Sequence, residues 1–422
     1  MTSVYEYNRL VLGHDFLRTS GWSSQLPSSA GKDQARGSNG RLVLVFAAWI
    51  FAAIAVLPVV FHWRAAHPTD LAAGLATLLA YLAAVSICYS IFRIESRRLS
   101  RRQAMCLALL VFSLTSVVNH IHSVTVDQGH NRLFSPELLN TDWQIEIQNL
   151  VVGLSPNAIP HSYRFLPNGI VRWMELCGTG YEAARDAYRL ICGLLLFYAI
   201  SRYAGLYTAY AGRVITLLLA AVAYPISFEN YNGQLTDPLS HLSFVLAFLF
   251  LGTEEFWLLL TVLVIGSLAK ETVLAMTLYF VLFHRKEKNY IGKAALLCAG
   301  TVIAYFGVRL AILKGTMNYV HVSATPLGHI RVNAGFLAWV PAFLLTVGVF
   351  LPFLAIGWDR TPAVLKRQAL FLLPVLFLSS LLFGWLYETR NFMPLVFVLA
   401  VIAARTLSDD PAFETSGIGS PF

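Results

Sequence analysis

The segment from Ile121 to Arg185 is the longest polar interruption in an otherwise apolar chain, and near its middle it reads HSYRFLPN (His161 to Asn168). Apolar runs long enough to cross a bilayer lie on both sides of it. The arrangement predicts a membrane-embedded body with one large polar loop. If this loop faces the same side as the other polar turns, the protein carries one charged surface at a membrane face.

Composition supports a membrane protein. The chain has 422 residues, of which 57% are hydrophobic and 13% are charged, and its mean hydropathy is +0.61. A soluble domain is usually about one quarter charged. The low charge and the repeated apolar runs of about 17 to 23 residues are typical of a polytopic helical membrane protein. We therefore predict an all-α fold, a transmembrane helical bundle with a large extracytoplasmic loop that carries short surface helices.

The basic residues do not indicate nucleic-acid binding. The net charge is +8, but the basic residues cluster between apolar runs, where they orient helices in contact with membrane lipids. The cysteines show no paired spacing, so neither a disulfide framework nor a metal knuckle is expected from Cys88, Cys106, Cys177, Cys192 and Cys298.

Three parts are expected along the chain. Residues 1–40 are polar and lack the apolar core of a signal peptide, so we predict a cytoplasmic tail. Residues 41–406 are predicted to form the transmembrane domain, with the outer loop at about 122–185, and residues 407–422 a second cytoplasmic tail. The predicted spans are 42–62, 71–93, 104–121, 186–204, 213–228, 238–252, 292–313, 335–357, 368–386 and 391–406.

Basic turns predict the orientation of these spans. Positively charged short loops usually face the cytoplasm, and the strongest are RIESRRLSRR (Arg93 to Arg102) and HRKEK (His284 to Lys288). Both can be cytoplasmic only if residues 254–284 cross the membrane an even number of times. Because this stretch is too short for two full spans, we predict a broken hairpin with Lys270 and Glu271 at its outer tip. The competing assignment is a single tilted helix, which would place HRKEK outside.

Three carboxylates are candidates for a general base. Asp142 is the best of them, because it lies in LLNTDWQIEIQNL, where Asn140 or Thr141 could cap a short amphipathic helix at the membrane surface. An Asp beside an apolar wall can take a proton from an acceptor hydroxyl. The alternative is a simple helix cap. Asp127 and Asp237 are weaker rivals, and Asp237 precedes Pro238 at a predicted helix start.

Three cations are candidates for binding an anion. Lys270 and its neighbour Glu271 are surrounded by apolar residues, where charged groups usually line a cavity; the alternative is that they pair and staple the hairpin. Arg164 lies between two prolines, and an Arg on a fixed turn suits bidentate phosphate binding; the alternative is lipid headgroup contact. Arg390 and Glu388 lie in WLYETRNFMP (Trp385 to Pro394), which could also be an interfacial helix cap.

The histidines give a weak metal signal. Together with Asp127 they could hold a divalent cation, although their spacing is not that of a ligand set and solvated loop residues are the alternative for His120, His122, His130 and His161. We therefore predict no definite metal site.

Several motifs resemble the GT-C superfamily of integral-membrane glycosyltransferases. They are the acidic residue of the outer loop (Asp142 or Asp127), the YRFLP segment after it, NGQLTDP before a span, GSLAKETVLA (Gly266 to Ala275) and ETRNFMPLVFVLA near the C-terminus. They run in order from about residue 104 to 406.

The resemblance implies an inverting enzyme that moves a sugar from a polyprenyl-phosphate donor to a glycan, lipid or protein acceptor on the extracytoplasmic face. It implies that the donor phosphate is held by Arg164, Lys270 and Arg390, with Glu271, Glu388, His161 and Tyr163 in support, and that Asp142 is the base. A bacterial inner membrane with both termini cytoplasmic is the expected location. The alternatives are a polysaccharide polymerase or ligase, a transporter or flippase for a lipid-linked or anionic solute, and a non-catalytic assembly protein.

Overall fold

The structure is a computed structural model, and it describes residues 79, 82–83, 85–90, 92–93, 99–122, 141–154, 163–227, 235–313, 325–337 and 339–408. All regular structure in these residues is helical, which confirms the predicted all-α class. The predicted N-terminal tail, span 42–62, most of span 71–93 and nearly all of the C-terminal tail lie outside the described residues.

The helices alternate with short turns along the described chain. They are α1 (Arg101–His122), α2 (Thr141–Val152), α3 (Phe165–Leu176), α4 (Tyr181–Ala204), α5 (Tyr210–Ile226), α6 (Thr236–Gly252), α7 (Phe256–Ala269), α8 (Leu274–Phe283), α9 (Tyr290–Leu313), α10 (Pro326–Gly335), α11 (Trp339–Thr346), α12 (Leu351–Gly357), α13 (Ala363–Phe383) and α14 (Met393–Ser408). Short 3₁₀ turns precede α8, α12 and α14.

Five helical stretches in the described part are long and apolar enough to cross a membrane, namely Arg101–His122, Tyr290–Ala311, Trp339–Gly357, Ala363–Phe383 and Thr389–Ser408. They coincide with predicted spans 104–121, 292–313, 335–357, 368–386 and 391–406. The described chain is therefore compatible with a membrane protein.

Three other predicted spans, 186–204, 213–228 and 238–252, are helical but are not among the five stretches long and apolar enough to cross a membrane. Helices α5 and α6 have 17 residues each, so each is about 25 Å long, less than the roughly 30 Å of a hydrocarbon core. Helix α4 has 24 residues, but charged side chains such as Arg189 and Arg202 make it too polar. Its residues are mostly buried among other helices, where charge can be compensated.

Helices α4 and α14 form the centre of the bundle. Helix α4 packs on α1 and α6, and α14 packs on α5 and α12. A helix that is apolar on all sides is expected to be buried, and every residue of α14 from Met393 to Ala404 is buried. By contrast, α9 exposes large apolar side chains such as Ile291, Ile303 and Leu310, as a helix that faces lipid would.

The chain is broken at Lys270, as predicted. Helix α7 ends at Ala269, Lys270 is extended with φ −160° and ψ 133°, and a 3₁₀ turn leads into α8. Helices α7 and α8 are antiparallel neighbours: the ring of Phe256 at the start of α7 lies 6.2 Å from the ring of Phe280 near the end of α8. The break of the hairpin is thus confirmed and the single tilted helix is wrong, whereas the outer position of the tip stays a prediction.

The basic turns gather at the end of the bundle opposite Lys270. Arg405, in the last turn of α14, donates to the carbonyl oxygen of Tyr207 in the turn after α4 (2.5 Å). In the HRKEK turn, the Glu287 carboxylate accepts from His284 (2.7 Å) and Lys293 (2.6 Å). Burial would raise the pKa of Glu287, but these two bonds outweigh it and lower the pKa. This ion cluster closes the turn.

Helix starts in the predicted outer loop differ slightly from expectation. Helix α2 begins at Thr141, as the LLNTDWQIEIQNL pattern predicts. Pro167, one of the two prolines that flank Arg164, lies in the first turn of α3, where its missing N–H costs no hydrogen bond. Helix α4 begins at Tyr181, so regular structure starts before the predicted loop boundary at 185.

Gly266 allows α7 to approach α6 closely beside the break. A Cβ at this position would lie 2.7 Å from the Cβ of Ser243 and 2.8 Å from Cγ1 of Val273. Gly266→Ala is therefore expected to lower the free energy of unfolding by about 1–3 kcal/mol through overpacking. Thermal unfolding of the detergent-purified protein measures this loss.

Gly292→Ala provides the matched control. Gly292 is also helical, but a Cβ there would meet nothing within 4 Å. The exchange should leave stability unchanged or raise it slightly, because Ala favours helix over Gly. Equal melting temperatures for the two variants would show that the α6–α7 contact can relax without cost.

Candidate functional site

Four of the charged residues that the sequence selects lie at one end of the bundle. Because successive helices run in opposite directions, the end of one lies beside the start of the next. Asp237 lies in the first turn of α6, Lys270 follows α7, and Arg390 lies in the 3₁₀ turn before α14. Arg164 is the residue that precedes α3. Four residues separated by as many as 226 positions in the chain therefore occupy one end of the fold.

Asp237 is the centre of a buried triad. Its Oδ1 accepts a hydrogen bond from Lys270 Nζ at 2.6 Å, and its Oδ2 accepts from Arg390 Nη1 at 2.9 Å. The side chains of these three residues are only 4–6% exposed. Charged groups are buried at this depth only when they are paired and hydrogen-bonded, so each member of the triad depends on the others.

Two neighbours extend the triad. Lys270 Nζ also donates to Oδ1 of Asn391 (2.7 Å), and Arg390 Nη2 donates to Oε1 of Glu388 (2.8 Å). Glu388 and Arg390 thus do more than cap a helix, because Arg390 connects the start of α14 to α6 through Asp237. Asn391 belongs to the ETRNFMP segment that the sequence singled out, although its contact with Lys270 was not predicted.

Arg164 and Glu271 form a second, more open ion pair. Arg164 Nη2 donates to Glu271 Oε1 at 2.7 Å, and Arg164 Nε donates to Oε2 at 3.3 Å, so the guanidinium grips the carboxylate with two bonds. The side chains are 13% and 33% exposed. Burial acts to lower the pKa of Arg164, but the Glu271 carboxylate outweighs it and raises the pKa. Arg164 therefore stays a cation.

His241 contacts the backbone of Arg390, and Tyr224 contacts His241. Neither residue was predicted from the sequence. His241 Nε2 lies 3.0 Å from the carbonyl oxygen of Arg390, and Nδ1 lies 3.0 Å from the hydroxyl of Tyr224. Since a carbonyl only accepts, Nε2 carries the proton, and in the neutral ring Nδ1 accepts from Tyr224. His241 follows Asp237 by four residues on α6, and this spacing places both side chains on one helix face. The spacing is the signal in the sequence from which His241 could have been predicted.

A small cavity with a mainly apolar lining lies next to the triad. Its volume is about 30 Å³. His122 lines it and was expected to be a solvated loop residue or a metal ligand, but it is buried, and its Nδ1 lies 2.7 Å from Arg189 Nη1. The remaining lining comes from Thr115, Val118, Asn119, Arg189, Gly193, Leu196, Phe197, Tyr224, Asp237, Pro238, His241 and Arg390.

No group of three or more His, Cys, Asp or Glu side chains that could hold a metal ion occurs within the described residues. His130, His161 and Asp127 lie outside that part of the chain. The divalent cation that these residues could hold therefore stays a hypothesis.

An apolar groove of about 340 Å³ begins at the open ion pair. It runs between α8 and α13, and Glu271 is one of its lining residues. The others are Thr272, Leu274, Ala275, Leu278, Val375, Leu376 and Ser379. A charged group beside an apolar groove matches the chemistry of a ligand with an anionic head and a hydrocarbon chain.

The remaining predicted site residues are placed as follows. Asp142 is the second residue of α2, and the structure describes its backbone but not its side chain. Tyr163 is buried, and the guanidinium of Arg309 lies over its ring, 4.1 Å from the centroid. This cation–π contact ties the segment before α3 to α9.

Comparison of the chain with models of protein families finds no match, and neither does comparison with curated proteins or with solved structures. The class that fold and site define is a helical protein suited to a membrane, with a buried ion network at one end and an apolar groove beside it.

Proposed function

We propose that this protein is a membrane glycosyltransferase of the GT-C type, which moves a sugar from a polyprenyl-phosphate donor to an acceptor. One observation carries the proposal. The three cations that the sequence selects for the donor phosphate belong to two ion clusters at one end of the bundle, which the adjacent residues Lys270 and Glu271 join. An apolar groove opens at the same place.

Arg164 is the cation that meets the donor phosphate first. Its guanidinium is the most exposed of the three cations, and its two-bond grip on a carboxylate also suits a phosphate. Lys270 and Arg390 lie deeper, where each donates a hydrogen bond to Asp237. Cations near the leaving oxygen stabilise the charge that develops there as the sugar departs.

The prenyl chain of the donor lies along the α8–α13 groove in this proposal. The groove is lined largely by apolar side chains, including Leu274, Leu278 and Leu376. A hydrocarbon chain placed there packs against these side chains while its phosphate stays beside Arg164. The donor is therefore recognised at both ends by chemistry that matches it.

Proton removal from the acceptor is assigned to Asp142, with Asp127 as the second choice. Asp237 has a different role in this proposal, because both of its oxygens already accept bonds from cations. It positions Lys270 and Arg390. The acceptor oxygen attacks the anomeric carbon from the face opposite the phosphate, its proton passes to Asp142, and the lipid phosphate leaves, with inversion.

The proposal places the ion network on the extracytoplasmic side of a bacterial plasma membrane and both termini in the cytoplasm. It is supported by the collection of basic turns at the opposite end of the bundle, since such turns face the cytoplasm.

Incubation of the purified protein with labelled polyprenyl-phosphate sugars tests the activity. Label is expected to move to an added glycan or lipid acceptor, and in membrane vesicles it should do so only when the extracytoplasmic face is exposed to both substrates. Vesicles that transfer sugar only in the opposite orientation would reverse the assigned topology. Absence of transfer with every prenyl-phosphate sugar would exclude the donor class.

A polymerase or ligase would instead extend or join lipid-linked glycans in the same assay.

A transporter or flippase is the second candidate, because of the broken hairpin. Interrupted helices with charged residues at the break form the substrate sites of many transporters, and Lys270 lies at such a break. A transporter moves its solute without changing it. Uptake of unmodified lipid-linked or anionic solute into proteoliposomes, with no label on an acceptor, would favour this class.

A further inference from the structure

The charges of the ion network balance. Arg164, Lys270 and Arg390 provide three positive charges, and Asp237, Glu271 and Glu388 provide three negative charges. A phosphate that approaches this network therefore meets cations that already hold carboxylates. If the proposed function is correct, the donor phosphate must compete with one of these three acids.

Glu271 is the acid that can be displaced most easily. Its side chain is 33% exposed, whereas those of Asp237 and Glu388 are 6% and 16% exposed. A carboxylate released at the surface is rehydrated by water, but one released in the interior would be a buried unpaired charge. Asp237 is also held by two cations at once, so its release would leave both Lys270 and Arg390 uncompensated.

The geometry also favours an exchange at Arg164. The guanidinium contacts Glu271 with two nitrogens, and the same fork accommodates two phosphate oxygens. Glu271 lines the apolar groove, so a phosphate at the head of a chain lying in that groove arrives next to this pair. Rotation of the Glu271 side chain would release these two nitrogens from the carboxylate.

We propose that Glu271 is a built-in competitor of the donor phosphate, which holds Arg164 in the empty site and gives it up when a prenyl phosphate binds. This inference rests on the proposed function and adds a specificity device to it. An anion that lacks a hydrocarbon chain must displace Glu271 without help from the groove, so the pair disfavours free phosphate.

Binding measurements on the full-length protein in detergent test this exchange. The probes are farnesyl phosphate, inorganic phosphate and uncharged farnesol. Glu271→Gln removes the competing charge, so we expect it to bind farnesyl phosphate about tenfold more tightly than wild type does, the size of a charged hydrogen-bonded pair that is partly exposed. Inorganic phosphate should gain as well, and farnesol should bind as before. A gain for farnesol alone would assign the effect to the groove and contradict the exchange.

Two controls locate the effect at Arg164. Glu175→Gln removes the same charge from another Arg–Glu pair, with Arg172 on α3, and should not change the affinity for farnesyl phosphate. Adding Arg164→Gln to Glu271→Gln should abolish the gain, because the released cation is then absent. An equal gain in the Glu175 variant would indicate a general charge effect and overturn the proposal.

Wild-type or weaker affinity of Glu271→Gln for farnesyl phosphate would also overturn it. If this variant does not fold, Glu271→Asp keeps the charge but shortens the reach to Arg164, and it should bind farnesyl phosphate more tightly than wild type by a smaller factor. The affinities are independent of turnover. If wild type transfers no sugar but Glu271→Gln binds farnesyl phosphate tenfold more tightly, the glycosyltransferase proposal is rejected and the exchange at Arg164 is kept. If wild type transfers sugar but the variant shows no gain in binding, the exchange is rejected and the glycosyltransferase proposal is kept.

Discussion

Asp237→Asn is expected to lower the free energy of unfolding by about 3–5 kcal/mol, the usual cost of removing one partner from a buried ion pair. The amide keeps the size of the side chain but carries no charge. Lys270 and Arg390 would then lose their shared counter-ion while their side chains stay 6% and 4% exposed. Thermal unfolding of the purified protein in detergent measures the loss, which should appear as a large fall in melting temperature.

Two further variants separate this cause from a general loss of charge. Glu175→Gln breaks a pair whose Arg172 is 46% exposed, so its cost should stay below about 1 kcal/mol. In the double variant Asp237→Asn with Lys270→Gln, one of the two uncompensated cations is removed as well, and stability should partly return. If Asp237→Asn and wild type have the same melting temperature, the triad does not stabilise the bundle.

Asp142→Asn is expected to reduce sugar transfer by at least about a hundredfold, the lower range of the contribution of a general base. Asn has nearly the size of Asp but cannot take a proton from the acceptor. Binding of farnesyl phosphate should remain unchanged, because the phosphate is assigned to Arg164 on another element. The transfer assay with labelled prenyl-phosphate sugar and the binding assay measure the two effects separately.

Asp127→Asn is the appropriate comparison for Asp142→Asn, and we expect a smaller loss from it. Asp237→Asn is a poor comparison, because its effect on stability would obscure an effect on turnover. Full activity of Asp142→Asn together with an inactive Asp127→Asn would move the base to Asp127 and leave the class of enzyme intact. Full activity of both variants would remove the carboxylate mechanism.

The break at Lys270 could be predicted from sequence because it depends on length and charge. Residues 254–284 are too few for two spans, and a Lys–Glu pair is costly inside an apolar helix. The partners of Lys270 and Glu271 could not be predicted in this way. One interpretation of the sequence was that the two neighbours pair with each other, but Lys270 bonds to Asp237 and Glu271 bonds to Arg164. Lys270 is extended, and neighbouring side chains of an extended chain point to opposite sides.

The sequence by itself determined the helical class, the positions of the five helical stretches long enough to cross a membrane and the identity of the cations near one end of the bundle, although it also predicted three spans that do not qualify. These properties follow from local hydropathy and from the positions of charges relative to apolar runs. Only the tertiary structure decided which acid neutralises which cation and which groove opens beside them. The ion pairs join residues that are 33, 107 and 153 positions apart, and the packing of whole helices, which no local pattern encodes, brings them within hydrogen-bonding distance.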